Sequence, residues 1–282
     1  MELKHYFLFF KSCLPNIEER ELNSIFKIII EKIFDKKYGD ILILNPFFSR
    51  DELDYLAIII QRLQNNEPIQ YIFGDAFFYN TSYYVTSDVL IPRPETEELV
   101  SLILTENKKD NLKVLDIGTG SGCIPVSLKI ERKTWDIDAV DISKKALFIA
   151  HENAFYNNVS INTIEGNILD RNWQKLNTKK YDIIVSNPPY IPIAEKAIMH
   201  DNVLKNEPHL ALFVDDEKPL VFYEAIADFA LQNLVDGGKV YVEINEFFGH
   251  ETKLCLEKKG FKKVILLKDM EGKNRMIKAS ID

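Results

Sequence analysis

Between Glu18 and Phe34 the apolar residues Leu22, Ile25, Phe26, Ile29, Ile30 and Ile33 recur at intervals of three and four, which predicts an amphipathic helix. Ser49–Asn65 repeats the pattern with Leu53, Leu56, Ala57, Ile60 and Leu63. It opens on Ser49 with Glu52 three positions on, the pair that caps a helix start reciprocally. From Pro68 to Thr96 the period changes. Tyr71–Phe73, Ala76–Tyr79 and Tyr83–Val85 are short and aromatic, separated by Gly74-Asp75 and Asn80-Thr81, and read as a hairpin-like section. Leu90–Glu98 then places Pro94 directly before acidic residues, a good helix start.

From Lys113 on, short apolar runs alternate with helical stretches. Lys113–Ile117, Ile137–Val140, Ile161–Ile164, Asp182–Val185 and Val240–Ile244 read as strands, with helices over Gly122–Glu131, Ser143–Asn157 and Lys218–Leu234. This rhythm is that of an α/β protein with a parallel sheet covered on both faces. Gly237-Gly238 reads as a turn. Val264–Leu267 and Met276–Ala279 follow one another with no intervening helix and should be antiparallel neighbours. The expected organisation is a helical section over residues 1–74, a linking hairpin over 75–96 and the α/β domain over 97–282.

A length of 282 residues accommodates two unequal domains, and 46% hydrophobic with 28% charged residues allows a sizeable core. The net charge of -8 argues against a grip on nucleic-acid phosphates. The paired lysines, such as Lys144-Lys145 and Lys262-Lys263, are scattered and read as solvated faces. Cys13, Cys123 and Cys255 are far apart and lack CxxC spacing, so neither a disulfide framework nor a metal site is expected. The amino terminus has no signal-peptide pattern, and the apolar runs are too short to span a bilayer. A cytoplasmic protein with no membrane partner is the expectation.

Four motifs carry the chemistry. Val114–Gly122 runs a buried strand into Gly118-Thr119-Gly120-Ser121-Gly122 and then a helix, a turn that lets a ligand approach the main chain. Asp141 closes the next strand, 19 positions after Gly122, where an acid accepts the ribose hydroxyls of an adenosine; capping the following helix is the other reading. Asn167 and Ile168, after the third strand, can meet an adenine amino group and ring face, or form a simple turn. Ser186-Asn187-Pro188-Pro189-Tyr190-Ile191 follows the fourth strand, where open α/β sheets place their ligands.

Residue types in this last motif suit one task. An amide nitrogen is a poor nucleophile because its lone pair is delocalised. The Asn187 side-chain oxygen and the Pro188 carbonyl can each take one N–H of an –NH2 group, fixing the nitrogen and aiming its lone pair at a methyl. Pro189 keeps the segment extended, and Tyr190 can wall the planar group. A sulfonium already leaves readily, so no metal is needed.

In this order the motifs resemble class I, Rossmann-like methyltransferases acting on exocyclic or amide nitrogen. With Pro68–Gly74, Leu90–Glu97, Glu207-Pro208, Ala211-Leu212, Phe222-Tyr223 and Asp269…Gly272…Arg275, the whole chain resembles the peptide-chain-release-factor glutamine N5-methyltransferases. That resemblance implies a seven-stranded, mostly parallel sheet with an antiparallel last strand. It implies S-adenosyl-L-methionine over Gly118–Gly122, Asp141, Asn167 and Ile168, reaching Asn187. It implies as substrate the glutamine of a Gly-Gly-Gln loop in a release factor, docked on Asn187, Pro188, Pro189 and Tyr190, hence a role in translation termination. It implies, too, that the helical section helps hold that partner. Glu243-Ile244-Asn245 departs from the usual Glu-Ile-Gly or Glu-His-Gly, and Ile168 replaces a frequent aromatic. A ribosomal-protein glutamine methyltransferase and an adenine-N6 DNA methyltransferase share the site logic and are the alternatives.

Overall fold

The computed structural model describes residues 3–282, the side chain of Leu176 apart. Two compact units emerge. The first takes in the chain up to Phe73 together with Asp201–Asn206. Its helices are α1 (Leu3–Cys13), α2 (Glu19–Phe34), α3 (Tyr38–Leu44), α4 (Arg50–Gln64) and α5 (Ile69–Phe73). They close around Phe10, Leu22, Phe26, Ile29, Ile30, Ile41, Leu56 and Ile59. The expected capping box forms, with the Glu52 amide donating to Ser49 Oγ and the Ser49 amide to Glu52 Oε2. Tyr71–Phe73 is helical rather than extended: the amides of Tyr71 and Ile72 both donate to the Pro68 carbonyl, so proline starts a single turn. Arg62 closes that turn by donating to the Ile72 carbonyl while paired with Glu67. The segment Asp201–Asn206 is held by Asn206, whose side-chain amide donates to the Asn66 carbonyl at 2.8 Å.

The second unit spans 74–200 and 207–282. It opens with the hairpin β1 (Asp75–Phe78) and β2 (Thr81–Tyr84), antiparallel, turned by Tyr79 and Asn80 at φ 44° and 65°. Two consecutive positive φ values match the twist of a two-residue hairpin. After α6 (Pro94–Glu106) come β3 (Lys113–Ile117), α7 (Cys123–Glu131), β4 (Asp136–Asp141), α8 (Lys144–Tyr156), β5 (Asn162–Glu165), α9 (Arg171–Leu176) and β6 (Tyr181–Ser186). Then follow β7 (Ile191–Pro192), α10 (Asp201–Asn206, counted with the first unit), α11 (His209–Leu212), β8 (Phe213–Val214) and α12 (Val221–Asn233). β9 (Leu234–Glu243), α13 (Gly249–Lys259), β10 (Lys263–Lys268) and β11 (Asn274–Ser280) complete the order.

Seven strands form one sheet in the order β10-β11-β9-β6-β3-β4-β5. β3, β4, β5, β6 and β9 are parallel; β11 is antiparallel to both β9 and β10. The period of two sorts the core. Leu115, Ile117, Ile184, Val240 and Val242 face α12 and α13 residues such as Ile226, Phe229 and Leu256. Val114, Ile183, Val185 and Tyr241 face Leu99, Ile103, Val126 and Trp135 on the other side. Gly237-Gly238 lies inside β9 rather than in a turn before it, within a register shift against Tyr181 and Ile183. No helix of the described residues is long and apolar enough to cross a membrane.

The chain climbs outward from β3 to β5 in one direction and from β6 to β9 in the other. The carboxyl ends of β3 and β6 therefore form the crevice where such sheets bind ligands. Ile117 pairs with Ser186, and the Ser186 hydroxyl donates to the Ile117 carbonyl at 2.6 Å. This register sets Gly118 and Asn187, the next residue of each strand, side by side.

Candidate active site

A cavity of about 450 Å³ opens at these strand ends, within the size range of small-molecule sites. Its wall includes Gly118 and Gly120 from the glycine loop, Asp141 from β4, Asn167 and Ile168 after β5, and Asn187, Pro188 and Pro189 after β6. Leu90 and Val89 close it from the segment after the hairpin, Phe222 and Ile226 from α12, and Pro208, Leu210 and Ala211 from the α11 region.

The glycine loop is tied down on several sides. The amides of Gly118 and Thr119 donate to the Val140 carbonyl at 2.8 and 3.0 Å. Asn153 of α8 donates to the Ser121 carbonyl and also to the Tyr84 carbonyl, so the hairpin is linked to the loop through one side chain. Thr119 and Ser121 are buried. Gly122 sits at φ 77°, where a Cβ would lie 2.9 Å from Ala150 Cβ; this glycine lets α7 approach α8, while Gly118 and Gly120 meet the cavity.

Asp141 accepts from the Gly120 amide through Oδ2 and the Ser143 amide through Oδ1, both at 2.9 Å. Ser143, not Asp141, caps α8, its hydroxyl accepting from the Ala146 amide. Burial pushes the Asp141 carboxyl above its ordinary pKa, against the pull of these amides.

Asp116 lies inside the Val114–Gly122 motif, two positions before its glycines, but the sequence alone gives it no role. It is fully buried, and neither carboxylate oxygen has a hydrogen-bond partner; the Thr119 hydroxyl is likewise unpartnered. Burial, with the charge of Asp141 adding to it, pushes Asp116 up to about 7, while Thr119 lies near enough to ease the charge without reaching hydrogen-bond geometry.

At the far corner, Asn167 folds into an Asx turn, its Oδ1 accepting from the Leu169 amide at 2.9 Å. Ile168 is 5% exposed and lines the cavity. A Cβ on Gly166 would fall 2.3 Å from the Trp173 indole, so the corner is shaped by α9 pressing on bare backbone.

The segment after β6 is organised by side chains distant in sequence. Asn187 Nδ2 donates to Thr96 Oγ1 at 3.1 Å, and Thr96 in turn donates to Glu243 Oε2 at 2.7 Å. Tyr190 is turned into the fold: its hydroxyl donates to Glu243 Oε1 at 3.0 Å and its ring packs on the core beneath α12, while Asn187, Pro188 and Pro189 face the cavity. Asn245 donates to the Tyr190 carbonyl at 3.3 Å. Burial raises the pKa of Glu243, opposed by the donating hydroxyls of Thr96 and Tyr190 and by the charge of Arg275. Burial, then the negative charge of Glu243, raises that of Tyr190 well above its ordinary value.

Thr96 belongs to Pro92–Glu97 and Glu243 ends β9, so both lie in stretches that the sequence pattern marks without giving either residue a role. Neither lines this cavity, and only the fold brings them together. The same turn carries Arg93, which pairs with Glu207 at 2.6 Å, beside the cavity residue Pro208. Beyond Tyr190, β7 pairs with β8 in parallel, joining the two ends of the chain that leaves and re-enters the site.

With this geometry in place, the likenesses to known proteins are informative. The methyltransferase small domain family matches residues 96–272. A release factor glutamine methyltransferase of Flavobacterium psychrophilum is 46% identical over 99% of both chains. One from Lactococcus lactis is 47% identical over 80% of this chain and 82% of its own. Among solved structures, a 16S rRNA N2 G1207 methyltransferase of T. thermophilus in complex with AdoMet and guanosine superposes at a TM-score of 0.52. It shares 18% identity, covering 73% of this chain and 49% of that one, and speaks to the fold alone.

Proposed function

The chain belongs to the release factor glutamine methyltransferases, and from that premise we propose that it moves a methyl group from S-adenosyl-L-methionine to the side-chain amide nitrogen of the glutamine in a release factor's Gly-Gly-Gln loop. One observation carries the reading. Asn187 lines the cavity with its Nδ2 committed to Thr96, which leaves Oδ1 as the end able to accept a hydrogen bond from an –NH2 group. The 46% identical relative, named for release factors, weighs for that substrate over a ribosomal protein or an adenine.

The residues present fit the donor. Asp141 sits at the cavity with lone pairs left after its two amide contacts, suited to ribose hydroxyls. Ile168 and Leu169 supply apolar surface for a purine face. Asp116, buried and unpartnered directly before the cavity residues Ile117 and Gly118, favours a cationic ligand at the loop over an anionic one. When bound, the donor supplies an electrophilic methyl on a sulfonium, whose sulfur leaves as a neutral thioether.

The protein's own work is then positional. Asn187 Oδ1 and the Pro188 carbonyl accept the two amide protons, which orients the nitrogen and opposes rotation about its bond. Both acceptors also stabilise the positive charge that grows on nitrogen as the new N–C bond forms. The nitrogen gives up one proton to solvent on completing the transfer, so the product is a neutral N-methylamide. Leu90, Phe222 and Ile226 keep water from the methyl. The helical unit, with its exposed Phe9, Ile43 and Phe47, is assigned the grip on the protein substrate. Incubation with isotopically labelled donor and purified release factors, followed by mapping the label by mass spectrometry, tests the reading. Label on the Gly-Gly-Gln glutamine supports it, and label elsewhere or none refutes it.

A further inference from the structure

The Asn187 carboxamide has two chemically opposite ends, and the reaction needs only one of them. A target –NH2 brings protons, so it must meet Oδ1. Rotating the carboxamide by half a turn would present an NH2 group instead, with almost no change in shape. Nothing within Asn187 chooses between the two states.

Two buried side chains make the choice. The Thr96 hydroxyl has a single proton, and it is given to Glu243 Oε2 at 2.7 Å. Toward Asn187 the same oxygen is then only an acceptor, and it holds the Nδ2 end at 3.1 Å. Glu243 is kept in the accepting role from its other side, where Tyr190 donates to Oε1 at 3.0 Å. Thr96 is 2% exposed and Glu243 1%, so bulk water does not reach in to satisfy a reversed arrangement. A flipped carboxamide would set an oxygen against the buried Thr96 oxygen, leaving two acceptors facing each other.

We propose that Thr96 and Glu243 are positioning residues that fix the polarity of the Asn187 carboxamide, so that the site takes a proton-bearing amide nitrogen and refuses an acceptor such as a glutamate carboxylate. This rests on the amide-methylation reading above. It goes further in assigning the site's discrimination to residues that touch neither donor nor substrate. The direction of one hydroxyl proton, three residues into α6, determines which side-chain chemistry is admitted at the end of β6.

The experiment measures steady-state methylation of a purified release factor, donor affinity by calorimetry, and thermal unfolding of each variant. Thr96→Val, equal in shape but without the hydroxyl, is expected to lower kcat roughly 10- to 100-fold with the donor Kd unchanged. Thr96→Ser, which restores the hydroxyl, is expected to recover most of that loss. Glu243→Gln, which puts an NH2 where one of the two hydroxyls donates, is expected to lower kcat over the same range, and it decides the matter if Thr96→Val fails to fold. A Thr96→Val or Glu243→Gln protein that keeps kcat within threefold of the parent overturns the proposal. So does a loss that Thr96→Ser does not repair, or one matched by an equal loss of donor affinity. A parent protein that methylates no amide overturns the methylation reading itself, whereas an active parent with fully active variants overturns only the role of Thr96 and Glu243.

Discussion

Arg93 and Glu207 meet at 2.6 Å although 114 positions separate them. The pair fastens the segment entering the cavity wall at Pro208 to the turn that starts α6. The two partners are not equivalent: Glu207 is buried, with one oxygen already unpartnered, whereas a third of the Arg93 side chain is exposed. Removing the arginine strands a buried carboxylate, and removing the carboxylate charge leaves a cation that water can reach. Arg93→Ala is therefore expected to destabilise the protein by roughly 2–3 kcal/mol, less than for a fully enclosed pair, and Glu207→Gln by about 1 kcal/mol. Urea unfolding of both variants checks the order, and equal costs would contradict it.

Asn187→Ala removes the acceptor that holds the target nitrogen without touching the glycine loop or Asp141. Its kcat is expected to fall by roughly 1,000-fold, with donor affinity changed little. Rapid-quench transfer assays alongside calorimetry separate the two effects. Full activity in this variant would end the mechanism of paired acceptors at Asn187 and Pro188.

Asp141→Ala is expected to act on the other side of the site. It deletes a carboxylate available to ribose and releases the Gly120 amide it anchors. Donor Kd should rise roughly 10- to 100-fold, the scale of charge-assisted hydrogen bonds. Transfer at saturating donor should persist. An unchanged Kd would remove Asp141 from the site.

Asp116 gives the donor-free protein a distinctive pH dependence. In the unfolded chain its carboxyl titrates near its ordinary value of 3.8, and in the folded protein near 7. Between those values the folded state keeps a proton the unfolded state has released, so the unfolding free energy falls as pH rises. The contribution is complete below about 4 and gone above about 7, on the order of 4 kcal/mol across the window. Asp116→Asn should flatten the profile by this share, leaving the smaller slopes of Asp141 and Glu243, and be the more stable protein at pH 8. Denaturant titrations at pH 5, 6, 7 and 8 test it, and parallel profiles for the two proteins would refute it.

Gly166→Ala places a methyl against the Trp173 indole, where backbone and α9 leave no room. A stability loss of roughly 1–3 kcal/mol is expected, together with weaker donor binding as Asn167 and Ile168 shift. A melting point equal to the parent's would show that the corner yields freely.

The sheet is legible in the sequence because its central strands, buried on both faces, write themselves as short continuous apolar runs; all seven strands of the main sheet fall where Val114, Ile137, Ile164, Ile183, Val240, Val264 and Met276 signal them. α1 and α3 escape the pattern, since Leu3, Tyr6 and Phe10 or a lone buried Ile41 give too few turns for periodicity to register. Tyr71–Phe73 reads as extended because aromatics favour strands, yet a proline carbonyl at its start offers a nearer partner for its amides. At the site, glycines and prolines announce themselves through backbone constraint. Thr96, Glu243 and Asp116 do not, since a hydroxyl or carboxylate that works from beneath the surface looks in sequence like any helix or strand residue.

The antiparallel β11 lies between β9 and β10, and this placement governs the order in which the sheet can be assembled. During synthesis β9 emerges and finds β6, while its outer edge waits for residues 274–280, made after β10. Until they arrive, β9 exposes a row of unpaired amides and carbonyls, and β10 has no strand beside it. A nascent chain stalled just short of Asn274 thus has its glycine loop and Asn187 already made but two raw sheet borders, a species that should bind chaperones or self-associate until residues 274–280 pair with both.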